Sequence, residues 1–383
     1  MRDVYIGGLG LTPAGEHWET SLRELAFYAL EALAEDTGRR GLAGRRPGAL
    51  YVANMLGGAL SHQAHLGALV ADFAGLRGLE AVTVEAAGAS GGAALRQAVL
   101  AVASGAMDHA LVVGVEKMTD KVGAGVVAAA ATAADSDWES AHGATPTALA
   151  ALLMRRYLHE HSLGLKDFAN FSVNAHRNAK DNPNAMFRNA ITAEAFLKAG
   201  MVADPINMFD TAPECDGAAA LLVTAQPGPV RVAGSAQATD ALAVHDRPDM
   251  LAFEAVRQST ARAYAQAGVG PEQIDVFELY DAYTVFSAIS LEAAGFAERG
   301  QGWRPAAENE ISINGKVPIA TFGGLKARGN PGGATGVYQA AEVVLQLLGE
   351  AGACQVPNPW VGMAQSLGGA GSTAVTHIFQ RID

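Results

Sequence analysis

Short apolar runs alternate along the chain with longer stretches in which apolar residues recur at helical spacing. Residues 4–7 and Ala49–Ala53 are predicted to be buried strands, and 18–34 between them has the periodicity of a helix. Further predicted elements of the first half are helices at 62–74 and 90–104 and strands at 82–85 and 110–115. Strands alternating with helices predict a mostly parallel sheet that is covered by helices on both faces.

The second half of the chain repeats this alternation. Its predicted elements are strands at 230–236, 274–279, 360–365 and 373–381 and helices at 252–267 and 332–348. The strand–turn–helix pattern at 82–104 is interpreted as the counterpart of the one at 274–295. The repetition predicts a duplicated α/β fold whose functional site lies between the two halves.

Residues 117–205 differ from both halves, since they contain an Ala/Gly-rich run, a long helical pattern and a polar stretch. They are predicted to be an inserted loop region that lies over the first domain. The chain returns to sheet at Gly217–Thr224, and Gln226-Pro-Gly-Pro229 is typical of a linker. We therefore expect an N-terminal domain at 1–226, which includes the insertion, and a C-terminal domain at 227–383.

Composition limits the possible functions. With 383 residues, half of them hydrophobic, the chain is long enough for two cores, and its formal net charge of −12 argues against non-specific binding to nucleic acid or anionic membranes. Cys215 and Cys354 are the only cysteines, which is too few for a disulfide framework or a zinc site. No signal peptide or membrane span is apparent. A cytoplasmic protein without a metal is expected.

Several short motifs occur in a fixed order. The first is Gly88-Ala-Ser-Gly-Gly92, within 84–95. The others are His176-Arg-Asn-Ala-Lys-Asp-Asn-Pro-Asn-Ala185, Ala203-Asp-Pro205, Cys215-Asp-Gly-Ala-Ala-Ala220, Glu278-Leu-Tyr-Asp-Ala-Tyr283, Gly329-Asn-Pro-Gly-Gly-Ala-Thr-Gly336 and Gly368-Gly-Ala-Gly371. Over essentially its whole length the chain resembles the thiolase superfamily, and within it the sterol-carrier-protein-type thiolases. The resemblance implies a duplicated five-layer αβαβα fold, a homodimer and an acyl-coenzyme A substrate.

Three positions depart from the family pattern. Gly88 stands where these thiolases usually have the nucleophilic cysteine, and glycine has no side chain that can attack a thioester. Tyr280 replaces the histidine of a motif that usually begins His-Asp, and Asn330 replaces the histidine of Gly-His-Pro. Since nucleophile, base and oxyanion-hole histidine are all altered, thiolysis is not expected to be the reaction.

The replacing residues suggest other chemistry. Gly88 either leaves room for a bulkier acyl group or only serves its turn. Tyr280 either donates to a thioester carbonyl, acts as an acid or base, or is a core tyrosine, and Asn330 can donate to an oxyanion. Tyr338, on the predicted helix after the glycine-rich loop, either points into the pocket or packs in the core.

Coenzyme A contacts are implied by the same resemblance. Gly329, Gly332 and Gly333 suit a loop that is pressed against a pantetheine arm. The cofactor-binding candidates in the insertion are His176, Arg177 and Arg188, in a region where the family often contacts coenzyme A. A solvated loop is the alternative interpretation of these three residues.

Three functions remain open. The first is carbon–carbon bond cleavage or formation of retro-aldol type on an acyl-coenzyme A, as in the similar thiolase-like aldolases of steroid side-chain degradation. Those aldolases work with an OB-fold, zinc-ribbon partner, so the resemblance implies such a partner here. The second is a non-catalytic acyl-coenzyme A-binding subunit. The third is acyl transfer through an unusual nucleophile, for which Ser90 is the nearest hydroxyl.

Overall fold

The computed structural model describes residues 2–42 and 44–382. The strands are β1 (Tyr5–Leu11), β2 (Ala49–Ala53), β3 (Glu80–Val84), β4 (His109–Glu116), β5 (Met201–Ala203), β6 (Ile206–Asn207), β7 (Gly217–Thr224), β8 (Val230–Thr239), β9 (Val276–Glu278), β10 (Val361–Gly368) and β11 (Thr373–Arg381). The helices are α1 (Leu22–Arg39), α2 (Gly57–Leu60), α3 (Leu66–Phe73), α4 (Ser90–Ala103), α5 (Gly123–Ala130), α6 (Pro146–His161), α7 (Ala169–Ala179), α8 (Ala193–Lys198), α9 (Glu254–Ala267), α10 (Thr284–Ala293), α11 (Arg304–Ala307) and α12 (Thr335–Leu348).

The central sheet is mixed, so the prediction of a mostly parallel sheet is wrong. Nine strands follow the order β3-β2-β4-β7-β1-β8-β11-β10-β9. Only β2–β3, β2–β4 and β9–β10 are parallel pairs. The remaining pairs are antiparallel because β10 and β11 are joined by a tight turn and β7 runs back between β4 and β1. Helix–strand alternation does not reveal these two return strands.

The sheet contains the same strand arrangement twice. The order β1-β7-β4-β2-β3 is matched by β8-β11-β10-β9, and corresponding pairs run in the same relative direction. A parallel bridge between Phe277 and Ile319 stands where the second copy of β3 would pair. The counterpart of β3–α4 is therefore the segment at Ile319 with α12, and not 274–295 as the sequence pattern suggested. A strand reduced to one bridge leaves no periodicity to find.

Five layers are stacked in this duplicated arrangement, as expected. Helices α4 and α12 contact each other and strands from both halves of the sheet, so they form the middle layer. Helices α1 and α3 cover the outer face of the first half, α9 covers the second, and α10 packs against α9. Gly91 of α4 makes the middle layer tight, because a Cβ there would lie 2.7 Å from the amide nitrogen of Val337.

Most of the segment between β4 and β7 packs on the second half of the sheet, which corrects the prediction for 117–205, whereas its helix α5 packs on the first half against Leu56 and Leu60. Its helices α6 and α7 share a hydrophobic cluster with α9, α10 and the π-helix Gly324–Arg328. Apolar residues of α6 and α7, such as Leu153, Tyr157 and Phe171, form the contacts of the insertion with this cluster. The insertion thereby lies over the loops that leave β9. No helix in the described part of the chain is long and apolar enough to cross a membrane.

Substitution of Gly91 by alanine should destabilise the middle layer. The added methyl group would overlap the α12 backbone at Gly336 and Val337, and such overpacking typically lowers the free energy of unfolding by about 1–3 kcal/mol. Urea denaturation measures the change. Gly125→Ala on the exposed surface of α5 is the matched control and should be neutral or stabilising by up to about 1 kcal/mol. Equal stabilities of the two variants would contradict tight α4–α12 packing.

Candidate active site

A cavity of about 320 Å³ opens where loops from both halves of the sheet meet the insertion. Its size is within the usual range for small-molecule sites. Apolar residues form most of the wall, with few polar groups among them. The polar side chains that line it are Glu139, Thr147, Thr211, Glu214, Tyr280, Tyr283 and Asn330. None of the described residues on this wall is a histidine, lysine or arginine.

Gly88 and Tyr280 meet inside this cavity. A Cβ atom on Gly88 would overlap the Tyr280 hydroxyl oxygen and lie 2.8 Å from its Cζ atom and 2.6 Å from the carbonyl oxygen of Leu367. The backbone at Gly88 is not in the left-handed region, so its turn does not demand glycine. The suggestion that glycine leaves room for a larger acyl group is therefore wrong at this point, because the tyrosine hydroxyl fills that space.

The Tyr280 hydroxyl is held in its neutral form. Burial is the largest influence and raises its pKa well above the usual value near 10, and the neighbouring Tyr283 acts in the same direction. Contact with the side chain of Asn330 opposes this shift only in part. A neutral phenol at this position is a hydrogen-bond donor or a general acid, and it is unsuited to act as a base.

Asn330 has a fixed orientation. Its backbone N–H donates to the carbonyl oxygen of Pro213 over 2.9 Å, and its backbone carbonyl oxygen accepts from the backbone N–H of Cys215. The side-chain Oδ1 accepts a hydrogen bond of 2.8 Å from the Thr335 hydroxyl at the start of α12. Because the oxygen is engaged there, the NH₂ group is left to face Tyr280 and the cavity.

Glu116, at the end of β4, ties two of the site loops together. Its carboxylate accepts hydrogen bonds from the amide nitrogens of Met55, Leu56 and Gly333 and from the Asn54 side chain, at 2.8–3.0 Å. The side chain is fully buried, and this burial raises its pKa to about 7 against the effect of those donors. The loop after β2 and the loop before α12 are thus fixed by one acidic residue.

Glu214 is a residue of the cavity that the sequence reasoning missed. Its side chain is exposed to the cavity, whose walls withdraw it from bulk water and raise its pKa. Glu139, the other carboxylate on the wall, is already engaged by the amide nitrogens of Asp135 and Val244. The only available signal was the position of Glu214 directly before the motif Cys215-Asp-Gly-Ala-Ala-Ala220.

Several predicted site residues lie outside the cavity wall. Tyr338 is fully buried, and its hydroxyl donates to the carbonyl oxygen of Thr12 over 2.9 Å. Gly329 packs against the Cys215 sulfur, and Gly333 backs onto the loop after β2. Gly332 does line the cavity. Of the four proposed catalytic residues, the structure thus brings Gly88, Tyr280 and Asn330 together and places Tyr338 in the core.

The cofactor-binding candidates of the insertion also lie away from the cavity. His176 is buried and lies stacked against Phe187, and burial, its largest influence, lowers its pKa, so the ring is neutral. Arg177 donates to Asn174 over 2.8 Å. Arg188 is exposed. A neutral histidine in a stacked position is suited to packing rather than to phosphate binding, whereas an exposed arginine remains available to an anion.

The remaining nucleophilic groups are engaged or buried. The Ser90 hydroxyl donates to the carbonyl oxygen of Ala87 over 2.6 Å and accepts from Ala86. Neither Cys215 nor Cys354 lines the cavity, and burial raises the pKa of both thiols to about 12. The described residues contain no cluster of side chains suited to hold a metal ion.

Asp281 lies directly after Tyr280, before α10. Its carboxylate accepts a hydrogen bond of 2.7 Å from the amide nitrogen of Leu325, in the π-helix. It holds Tyr280 against the segment that precedes Asn330. The residue is structural, but it connects two site loops and does not begin a helix.

Comparisons with known proteins agree with this architecture. A model described as the thiolase N-terminal domain matches residues 4–227, and one described as thiolase C-terminal domain-like matches residues 236–381. The acetyl-CoA acetyltransferase of Methanothermobacter thermautotrophicus is 41% identical over 388 residues, which cover 100% of both chains. The 17-hydroxy-3-oxo-4-pregnene-20-carboxyl-CoA lyase of Mycobacterium tuberculosis is 30% identical over 258 residues, covering 64% of this chain and 65% of the lyase.

A solved structure of similar fold is described as the Ltp2-ChsH2(DUF35) aldolase. It superposes with a TM-score of 0.85 at 25% identity, over 99% of this chain and 98% of that one. The similar proteins thus include one named as an acyltransferase, one named as a lyase and one described as an aldolase.

A double-mutant cycle should detect the overlap between residue 88 and Tyr280. Gly88→Ala alone should be destabilising, and it should be less so in the Tyr280→Leu background because the hydroxyl and Cζ are gone. The expected coupling is on the order of 1–3 kcal/mol in the free energy of unfolding. Some destabilisation should persist, since the Leu367 carbonyl remains 2.6 Å away. The control pair Gly125→Ala with Tyr280→Leu should change the free energy of unfolding additively. Additive changes for Gly88→Ala with Tyr280→Leu would contradict the overlap.

Glu116→Gln should loosen both loops that the carboxylate holds. Each carboxylate oxygen accepts two donors, so the NH₂ group of glutamine must face two of them. Unsatisfied buried donors predict a loss of about 2–4 kcal/mol in the free energy of unfolding. Denaturant unfolding measures it, with Glu31→Gln on the exposed surface of α1 as a control expected within about 0.5 kcal/mol of the parent chain. If both variants unfold alike, the network does not stabilise the loops.

Proposed function

The chain belongs to the thiolase family, and we propose that it is a carbon–carbon lyase that cleaves β-hydroxyacyl-coenzyme A thioesters by a retro-aldol reaction. No cysteine acyl-enzyme takes part. The products are an aldehyde or ketone and a shortened acyl-coenzyme A. The observation that carries the proposal is the placement of the Tyr280 phenol in the volume that a side chain at residue 88 would occupy.

The chemistry follows from what a thioester enolate needs. Cleavage of the Cα–Cβ bond leaves an electron pair on the thioester, and neutral donors directed at the developing oxyanion stabilise it. The Tyr280 hydroxyl and the Asn330 NH₂ group are donors of this kind, in a cavity of mostly apolar wall. The neighbouring N-terminal end of α4 adds a partial positive charge. These groups suit an enolate and provide no covalent nucleophile.

Acyl transfer is the competing function, and the identity with a protein named acetyl-CoA acetyltransferase favours it. Thiolysis requires an activated nucleophile in contact with the thioester. Both thiols of the chain are outside the cavity wall, and the Ser90 hydroxyl is already bonded to its own turn. These observations favour the lyase. The similarity to a protein named as a lyase supports the same choice.

We further propose that the chain works as a homodimer in the cytoplasm with an OB-fold, zinc-ribbon partner. The aldolase of similar fold is described as a complex with a DUF35 protein. Coenzyme A enters as part of the substrate, and no metal of the chain's own is invoked. The acyl group is apolar, because most of the cavity wall is formed by methionine, alanine, leucine and valine side chains.

Incubation of the purified chain with a panel of β-hydroxyacyl-coenzyme A thioesters tests the proposal. The chain is assayed alone and with the OB-fold, zinc-ribbon protein of its own organism. We expect release of an aldehyde or ketone together with a shortened acyl-coenzyme A. Tyr280→Phe should lower kcat at least about 100-fold, because the donor to the enolate oxygen is lost. Tyr28→Phe, at an exposed tyrosine of α1, should retain the parent rate.

The same panel separates the competing functions. Thiolysis of 3-ketoacyl-coenzyme A in the presence of free coenzyme A would favour the acyltransferase and overturn the proposed lyase. Tight binding of the thioesters without any turnover, with the partner protein present, would favour a non-catalytic subunit. Retention of the full cleavage rate by Tyr280→Phe would remove this phenol from the mechanism.

A further inference from the structure

Retro-aldol cleavage requires a base, and the residues already assigned do not supply one. Tyr280 is a neutral phenol whose pKa is raised, so it holds its proton. The Asn330 amide has no basic group. No histidine or lysine lines the cavity within the described residues. The proton of the β-hydroxyl group must therefore be taken by a carboxylate of the wall or by solvent.

Of the two carboxylates on the wall, only Glu214 is free to act. Glu139 is 5% exposed, and both of its oxygens accept backbone hydrogen bonds, from Asp135 at 3.1 Å and from Val244 at 2.8 Å. The Glu214 side chain is exposed to the cavity and makes no hydrogen bond or ion pair with the described residues. It can accept a proton without first breaking a contact.

The backbone holds Glu214 beside the donor groups. Glu214 and Asn330 form a parallel β-bridge. The backbone N–H of Asn330 closes it by donating to the carbonyl oxygen of Pro213. Residues paired in a bridge present their side chains next to each other. Cys215 and Asp216, which follow, turn into the core, so the strand presents a single acidic residue to the cavity. The Tyr283 hydroxyl nearby is engaged with Thr147 at 3.1 Å.

We propose that Glu214 is the general base of the cleavage, an assignment that rests on the proposed function. Its carboxylate takes the proton of the β-hydroxyl group, and the O–H electron pair becomes the second bond of the new carbonyl. The Cα–Cβ bond breaks, and its electrons pass to the thioester as an enolate held by Tyr280 and Asn330. The proton on Glu214 is then returned to Cα. Atoms and electrons balance without a co-reactant.

Glu214→Gln tests the assignment by kinetics. The amide keeps the size of the side chain but cannot take a proton, so kcat should fall at least about 100-fold while KM changes little. Glu214→Asp keeps the carboxylate and should recover part of the lost rate. Glu31→Gln on the exposed surface of α1 is the matched control. A Glu214→Gln enzyme that retains more than about half the parent kcat would overturn the assignment and leave the lyase function intact.

A binding measurement tests the same residue without turnover. In the Tyr280→Phe background, in which cleavage is slowed, the chain should bind a β-hydroxyacyl-coenzyme A about 10-fold more tightly than the saturated acyl-coenzyme A of equal length, because the hydroxyl donates to a carboxylate. In Glu214→Ala this preference should disappear while binding of the saturated thioester is kept. An unchanged preference would overturn the contact with Glu214. If the parent chain cleaves nothing, the lyase function fails, and this ratio still decides whether Glu214 meets the hydroxyl group.

Discussion

A side chain at residue 88 and the phenol of Tyr280 compete for one volume in the cavity. Close packing leaves no intermediate arrangement, because the carbonyl oxygen of Leu367 closes the other side of that space. The glycine and the tyrosine are therefore one structural unit rather than two separate substitutions. The remaining site chemistry depends on this choice, since the space that a side chain at residue 88 would occupy holds a hydrogen-bond donor instead.

The loops around this pair are held by buried polar contacts. Glu116 joins the loop after β2 to the loop before α12, and Asp281 joins the loop after β9 to the π-helix. The loops after β2 and β9 leave equivalent strands of the duplicated sheet, and the partners of both contacts lie in the segment that leads into α12. An acidic side chain thus fastens a strand-end loop of each half to this segment. Both partners of such a contact must be present, because a buried polar group that loses its partner destabilises the fold strongly.

Most of the fold could be predicted from the sequence, because hydrophobic periodicity reports burial directly. The first and last residues of β2, β7 and β11 agree with the predicted bounds, and the order of the motifs indicated the family. The prediction of a parallel sheet was wrong because helix–strand alternation does not reveal the return strands β7 and β11, and the pairing of the halves was wrong because the strand at Ile319 is a single bridge. Gly88, Tyr280 and Asn330 stood out because each departs from a motif. Glu214 does not depart from any of these motifs, and its position beside Asn330 exists only in the folded chain.

The electrostatics of the cavity connect these observations. A site without described cations on its wall has no cationic side chain to stabilise a negative oxygen, so it relies on neutral donors in an apolar surrounding, where each hydrogen bond is stronger than in water. The same surrounding keeps the Tyr280 phenol protonated and makes the Glu214 carboxylate more basic, because burial disfavours both charged forms. Burial therefore raises the pKa of both groups, which suits Tyr280 as a proton donor to an enolate and Glu214 as a base. A thiolate placed at residue 88 would be penalised by that environment, in addition to its overlap with the phenol.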